Sequence, residues 1–254
     1  MSNTISRKLL NPRLSNSTLR PVMLGSALLV FAVFGFFILN TRMINNASSA
    51  TPVTSYWVWR SSDMRLVPED AALVLYQGNI DTNWQYHPLG IRPVSLKQHN
   101  VRLLLRIYTL GPVQDIAELY QQLKTEWARD GVTVNGLEID FDCASSQLSD
   151  YAIWLGQLKP LVSDKLSVTS LMTYIYDNPE ELKKVSNNVD HIAMQLYADY
   201  KANPQFESVP NWLRKHKIHH TLGITNSSDF LHTDKLCTQW CQGIQIFLNR
   251  KEPL

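Results

Sequence analysis

Glycine and cysteine are scarce in this sequence, with ten and three among 254 residues. No glycine-rich turn follows the first strand-like run of the globular part, which argues against the phosphate-binding loop of a dinucleotide fold. There is no CxxC pair and no HExxH, so zinc sites of those kinds are excluded. His216, His219, His220 and His232 cluster in the chain, but their spacing matches no known ligand set, and neighbours on a strand point opposite ways. No metal and no cofactor is expected. In an oxidising compartment one pair among Cys143, Cys237 and Cys241 can form a disulfide and leave one thiol over. Cys237 and Cys241, four apart, could equally stay reduced on one helical face.

Charge of one sign is missing from the first 50 residues, which hold five basic residues and no acid. Within them, residues 22–39 form an 18-residue uncharged apolar run, long enough to cross most of a bilayer core. Arg7, Lys8, Arg13 and Arg20 precede this run and only Arg42 follows it closely. That bias predicts a cytoplasmic segment over 1–21, a transmembrane signal anchor over 22–39 and export of the rest across a bacterial inner membrane. A signal peptide cleaved after Ala50 is the competing reading, although Ala50 lies 11 residues beyond the run. No cysteine sits near the end of the run, which argues against a lipoprotein. Residues 40–54, rich in Asn, Ser, Thr and Ala, read as a linker. Without residues 1–50, 19 basic residues (24 − 5) face 22 acidic ones, a net charge of −3. A cationic nucleic-acid binder is thereby excluded.

Over 55–254 short runs rich in branched and aromatic residues alternate with amphipathic segments. Strands are expected at 56–60, 71–77, 101–108, 134–143, 165–174, 189–197, 218–225 and 243–248. Ile116, Leu119, Tyr120, Leu123 and Trp127 recur at helical spacing, as do Leu148, Tyr151, Leu155 and Leu158. Further helices are expected at 179–186, weakly at 210–216, and at 229–241. Strands alternating with helices predict a parallel α/β sheet, and eight units in about 200 residues fit a small (β/α)8 TIM-type barrel. An open doubly wound sheet is the alternative. Only ten residues separate the first two expected strands, so the barrel is expected to be incomplete at its start.

The stretch VNGLEIDFDC, 134–143, places Leu137, Ile139 and Phe141 on one face of a strand and Glu138, Asp140 and Asp142 on the other. In a barrel the apolar face meets the helices and the acidic face points inward. Like charges brought together out of water push at least one carboxyl towards its neutral form. Folding gains little from that arrangement, whereas glycoside hydrolysis uses one protonated and one ionised carboxyl about a scissile bond. A purely structural alternative has the acids paired with inward basic residues such as Arg106, above all for Glu138.

NGLEIDFD (135–142) resembles the DxxDxDxE signature of chitinase-like family 18 glycoside hydrolases. The resemblance implies Asp142 as proton donor and Asp140 as the carboxylate that orients substrate. Asn135 and Glu138 replace the first two acids, and Asp142 is one methylene shorter than Glu. AMQLYAD (193–199) is loosely similar to that family's Met-x-Tyr-Asp motif. GLEIDFDCASSQLSDYAIWL followed by LSVTSLMTY (136–174) resembles more closely a bacterial family known as domain of unknown function 3142, read as a chitinase-like barrel. This resemblance implies an exported barrel with a carbohydrate site.

Gln195 and Tyr197 would share the inward face of their strand and contact a sugar. Trp57 and Trp59 share a face of the first strand, either as a stacking platform or as core. Arg106 and Tyr108 would line the mouth, and Tyr174 would end the fifth strand there. Cys143 is expected to be a buried thiol or a disulfide partner. The expected partners are a carbohydrate ligand and, through residues 22–39, the membrane. The expected function is a glycoside-hydrolase-like enzyme acting on envelope or extracellular polysaccharide. Its rival is a catalytically inactive barrel that binds polysaccharide or a partner protein.

Overall fold

The computed structural model describes residues 53–91, 100–230 and 232–248. The expected cytoplasmic segment, anchor and most of the linker lie outside these. Among the described residues no helix is long and apolar enough to cross a membrane.

Eight parallel strands close into a ring. In chain order they are β1 (Val53–Val58), β2 (Ala72–Ile80), then β4 (Val101–Ile107), β5 (Val134–Asp140), β6 (Lys165–Leu171), β7 (His191–Gln195), β10 (His220–Thr225) and β11 (Cys241–Phe247). β1 pairs in parallel with both β11 and β2, and this pairing closes the barrel. The expectation of an incomplete start is corrected here: all eight strands are present, and what is missing is covering helix. Thirteen residues join β1 to β2 through a 3-10 turn at Ser61–Leu66, enough for a parallel crossover without an α-helix. β3 (Tyr86–Pro88) folds back antiparallel on β2.

Helices cover the barrel between β4 and β10. They are α1 (Val113–Arg129), α2 (Leu148–Leu158), α3 (Tyr174–Asp177), α4 (Pro179–Ser186) and α5 (Ser208–Lys215). α1 buries Ile116, Tyr120, Leu123 and Trp127, the stripe its spacing predicts, with Asp115 in its first turn and Arg129 in its last to suit the helix dipole. The helix expected at 229–241 is instead two 3-10 turns, Ser228–Phe230 and Thr233–Leu236. A Cys237–Cys241 disulfide closes the last five residues of the segment, with Cys237 extended and Trp240 at φ 74°, both incompatible with a helix. β6 likewise ends at Leu171, short of the expected Tyr174, which opens α3.

The outer faces of the strands and the helices make one core. Inside the ring Trp57, Val74, Tyr76, Leu104 and Ala193 form a second, smaller apolar cluster. The rest of the interior is polar, with Glu138, Ser167, Thr169, Thr221 and Gln245 all buried. β4 shows how alternation builds this interior. Leu103, Leu105 and Ile107 are fully buried in the outer core, while Arg102, Leu104 and Arg106 step up the inside.

Candidate active site

The acidic strand rises through three environments. Glu138, at the barrel's middle, is 0 % exposed. Its carboxylate accepts from Trp57 Nε1 (2.7 Å), Gln245 Nε2 (2.9 Å), Arg102 Nη1 (3.0 Å), Ser167 Oγ (3.1 Å) and Thr169 Oγ1 (3.1 Å). Five donors on two oxygens leave no place for a substrate, and the purely structural alternative describes this residue. Glu138 as a substrate-binding residue is therefore a correction: it lies under the cavity and holds the Trp57 indole in place.

Asp140, one step up, is the last residue of β5 and is 4 % exposed. Burial pushes its carboxyl up to about 7, with the charges of Asp142 and Glu138 adding to the rise and Arg106 opposing it. Asp142 follows at the rim with its side chain 39 % exposed. Arg106, on the neighbouring strand, reaches both acids, with Nη1 at 3.5 Å from Asp140 Oδ2 and Nη2 at 2.6 Å from Asp142 Oδ2. The guanidinium carbon lies 6.0 Å from the Trp59 ring and 5.7 Å from the Tyr108 ring, within cation–π range.

These groups open into a cavity of about 320 Å³, at the small end of the range of roughly 300–1,000 Å³ for ligand sites. Trp57, Trp59, Arg106, Asp140, Asp142, Gln195 and Tyr197 all line it, so seven of the ten residues singled out from sequence converge. They sit at or just beyond the C-terminal ends of their strands, where barrel active sites form. Tyr108 is 52 % exposed and touches the cavity only through Arg106. Tyr174 does not line it, because its buried hydroxyl donates to the Cys143 carbonyl at 2.5 Å. Cys143 is a buried free thiol, and burial pushes its pKa up, so it is a packing residue.

Sequence reasoning missed Thr169, Tyr200 and Phe247 and touched Asp199 only as the last residue of the AMQLYAD likeness; these four complete the lining. Alternation could have found two of them. Thr169 follows Ser167 on the inner face of β6, and Phe247 follows Gln245 on that of β11. Asp199 and Tyr200 gave no such signal. After Gln195 the chain leaves the barrel as a small hairpin, β8 (Tyr197–Ala198) and β9 (Lys201–Ala202). Its two turn residues have φ 48° and 67°, the left-handed pair of a type I′ turn, where glycine or asparagine is usual. Thr225 Oγ1 donates to the Tyr200 carbonyl at 3.0 Å, which helps hold the hairpin over the cavity. Phe247 contacts Trp59, Tyr197 and Tyr200 at ring-centroid distances of 6.1, 6.0 and 5.8 Å, forming a continuous aromatic wall.

Residues 99–217 match the family described as domain of unknown function DUF3142. The matched segment runs from β4 to just beyond α5 and carries Arg106, Asp140, Asp142, Gln195, Tyr197 and Asp199. Trp57, Trp59 and Phe247 fall outside it. No curated protein matches the chain. Among solved structures, the chain is similar to the endo-beta-N-acetylglucosaminidase of Cordyceps militaris (11 % identity, 82 % of this chain and 84 % of that one, TM-score 0.45). It is also similar to the spore cortex-lytic enzyme SleL of Bacillus cereus (12 %, 68 % and 50 %, TM-score 0.44). A family 18 chitinase of Crocus vernus is a third (11 %, 77 % and 91 %, TM-score 0.41). These are similarities of backbone course alone, and the barrel rests on its own strand pairing.

Proposed function

We propose that the barrel is glycoside-hydrolase-like and that its C-terminal cavity receives a sugar unit of an envelope or extracellular polysaccharide. The observation that carries this reading is Asp140, a carboxyl that titrates near neutrality beside the Arg106–Asp142 ion pair and beneath an aromatic wall. Cleavage of a glycosidic bond needs a proton for the leaving oxygen and a carboxylate for the positive charge that develops on the ring. The resemblance gives the proton to Asp142, but the geometry favours Asp140 as its holder at neutral pH. Asp142, more exposed and engaged by Arg106, faces the ligand. Gln195 and Tyr197, whose side chains meet at 3.3 Å, supply hydrogen bonds to sugar hydroxyls, and Trp59 supplies a stacking face.

The test incubates the full chain with a panel of bacterial polysaccharides and N-acetylated glycans, with products read by mass spectrometry. New oligosaccharides that disappear with Asp140→Asn and Asp142→Asn are expected. Hydrolysis unchanged in both variants would remove the two acids from the chemistry.

One observation favours binding without turnover. Arg106 already spans both acids, so the pair is partly neutralised before any ligand arrives. In that case Asp142→Asn keeps its affinity for a glycan that the unmodified chain binds but does not cut.

The anchor over 22–39 and the periplasmic side for the barrel are part of the same proposal. The Cys237–Cys241 disulfide supports an oxidising compartment. Fractionation of cells, with protease added to spheroplasts, checks this placement; a barrel shielded from the protease would refute it.

A further inference from the structure

The opposite end of the barrel holds a second cavity, of about 250 Å³, at the N-terminal ends of the strands. Arg102, Asn135, Lys165 and His191 line it from the starts of β4, β5, β6 and β7, with Asn100 and Thr221 beside them. Among the described residues its lining contains no Asp or Glu, whereas the C-terminal cavity is lined by three acids. The two mouths therefore carry opposite electrostatic character.

The lining also leaves hydrogen-bond donors unanswered. Arg102 Nη1 lies 3.1 Å from His191 Nε2, and because arginine only donates, that nitrogen must accept. The ring proton then sits on Nδ1. His191 is 2 % exposed, and burial together with the charges of Arg102 and Lys165 drives its pKa well below the usual value, so the ring is neutral. Its buried Nδ1–H has no acceptor among the described residues, and neither has the buried Nε–H of Arg102. Buried donors without partners are rare in folded proteins and destabilise them. Here two occur on side chains that line one cavity.

Gly136 makes room for this arrangement. A Cβ there would lie 3.2 Å from Arg102 Cγ and 3.3 Å from its Nε, so glycine lets the arginine lie across β5. Glu138 takes one end of the guanidinium, and Lys165 adds a second positive charge. Asp190, just before His191, is engaged by Lys159 and the Leu166 N–H, and it also feels the charge of Lys165.

We propose that this N-terminal cavity binds a small oxyanion, a phosphate or a carboxylate. Its charge balances Lys165, and its oxygens accept from the Lys165 ammonium and the Arg102 guanidinium that line the cavity, next to the buried unanswered donors. The site stands apart from the carbohydrate cavity and does not depend on it.

The full chain is titrated calorimetrically with inorganic phosphate and separately with acetate, at ionic strength held constant with sodium chloride. Saturable one-to-one binding with a Kd of about 1 mM or tighter is expected for at least one of them. The exposed Lys165 can change without disturbing the core, so Lys165→Ala should weaken binding by about tenfold or more. The His191 Nδ1 proton resonance should shift along the same titration curve. Phosphate alone would name a phosphoryl ligand and acetate alone a carboxylate, and either supports the site. No saturable binding of either anion overturns the proposal. So does binding that survives Lys165→Ala unchanged and leaves the His191 resonance in place.

Discussion

Asp140→Asn tests the electrostatics of the site without any substrate. Asparagine has the shape of the protonated acid and never ionises. The wild-type carboxyl titrates at 3.8 when exposed and at about 7 when folded. Its folded pKa is raised, so below 3.8 both states hold the proton and the group costs nothing. Between 3.8 and 7 the unfolded chain releases a proton that the folded chain keeps, and stability falls as pH rises. Above 7 the loss is complete, and at 1.36 kcal/mol for each tenfold change it amounts to about 4 kcal/mol. Titrating groups remote from Asp140 are common to both chains and cancel in the difference. Urea unfolding followed by tryptophan fluorescence from pH 3.5 to 8.5 measures that difference. The Asn variant should match the wild type in relative terms at the acid end and gain about 4 kcal/mol on it by pH 8. Asp142→Asn removes a charge that raises Asp140, so the wild-type loss should shrink in that background. A stability gap that stays constant across the whole range would show that folding leaves the Asp140 pKa at its exposed value, so that Asp140 is ionised at neutral pH and the proton needed for the proposed chemistry comes from elsewhere.

Two changes probe how the floor of the cavity is held. Trp57→Phe keeps the ring but deletes the 2.7 Å donor to buried Glu138, and urea denaturation should show a loss of about 1.5–3 kcal/mol; an unchanged midpoint would mean the other four donors suffice. Gly223→Ala places a Cβ 2.7 Å from Trp57 Cη2 and 3.0 Å from the Met194 carbonyl oxygen. Overpacking of that kind costs about 1–3 kcal/mol and should tilt the indole, weakening glycan binding more than stability alone explains; full affinity in a destabilised variant would place Trp57 outside the ligand's reach.

Most of the barrel was legible because a closed parallel sheet imposes two independent signals. Its strands are short and branched, and its covering helices show a 3.6-residue stripe, as Ile116, Tyr120, Leu123 and Trp127 do. Closure was not legible. The link between β1 and β2 looked too short for a crossover helix, and nothing in the sequence said that a 3-10 turn over 61–66 would do. The disulfide was one of several permitted outcomes, since three cysteines allow three pairings.

Side-chain alternation tells which face of a strand a residue takes, but it says nothing of height within the barrel. Glu138, Asp140 and Asp142 share a face, yet they end respectively in a saturated ionic centre, a buried neutral-leaning acid and a half-open rim. Height depends on register with the neighbouring strands. Glu138 lies level with Leu104 and Ser167, and Asp140 level with Arg106 and Thr169. The same register sets Arg102 one layer below, where its side chain lines the N-terminal cavity. β4 thus carries one arginine to each end of the barrel, and the acids of β5 divide between them: Glu138 neutralises the lower arginine inside the core, and Asp140 and Asp142 meet the upper one at the mouth. With Glu138 spent on Arg102 inside the core, Asp140 buried just below the rim and Asp142 open at it, the acidic mouth suits proton chemistry, and Lys165 supplies the positive charge at the lower end.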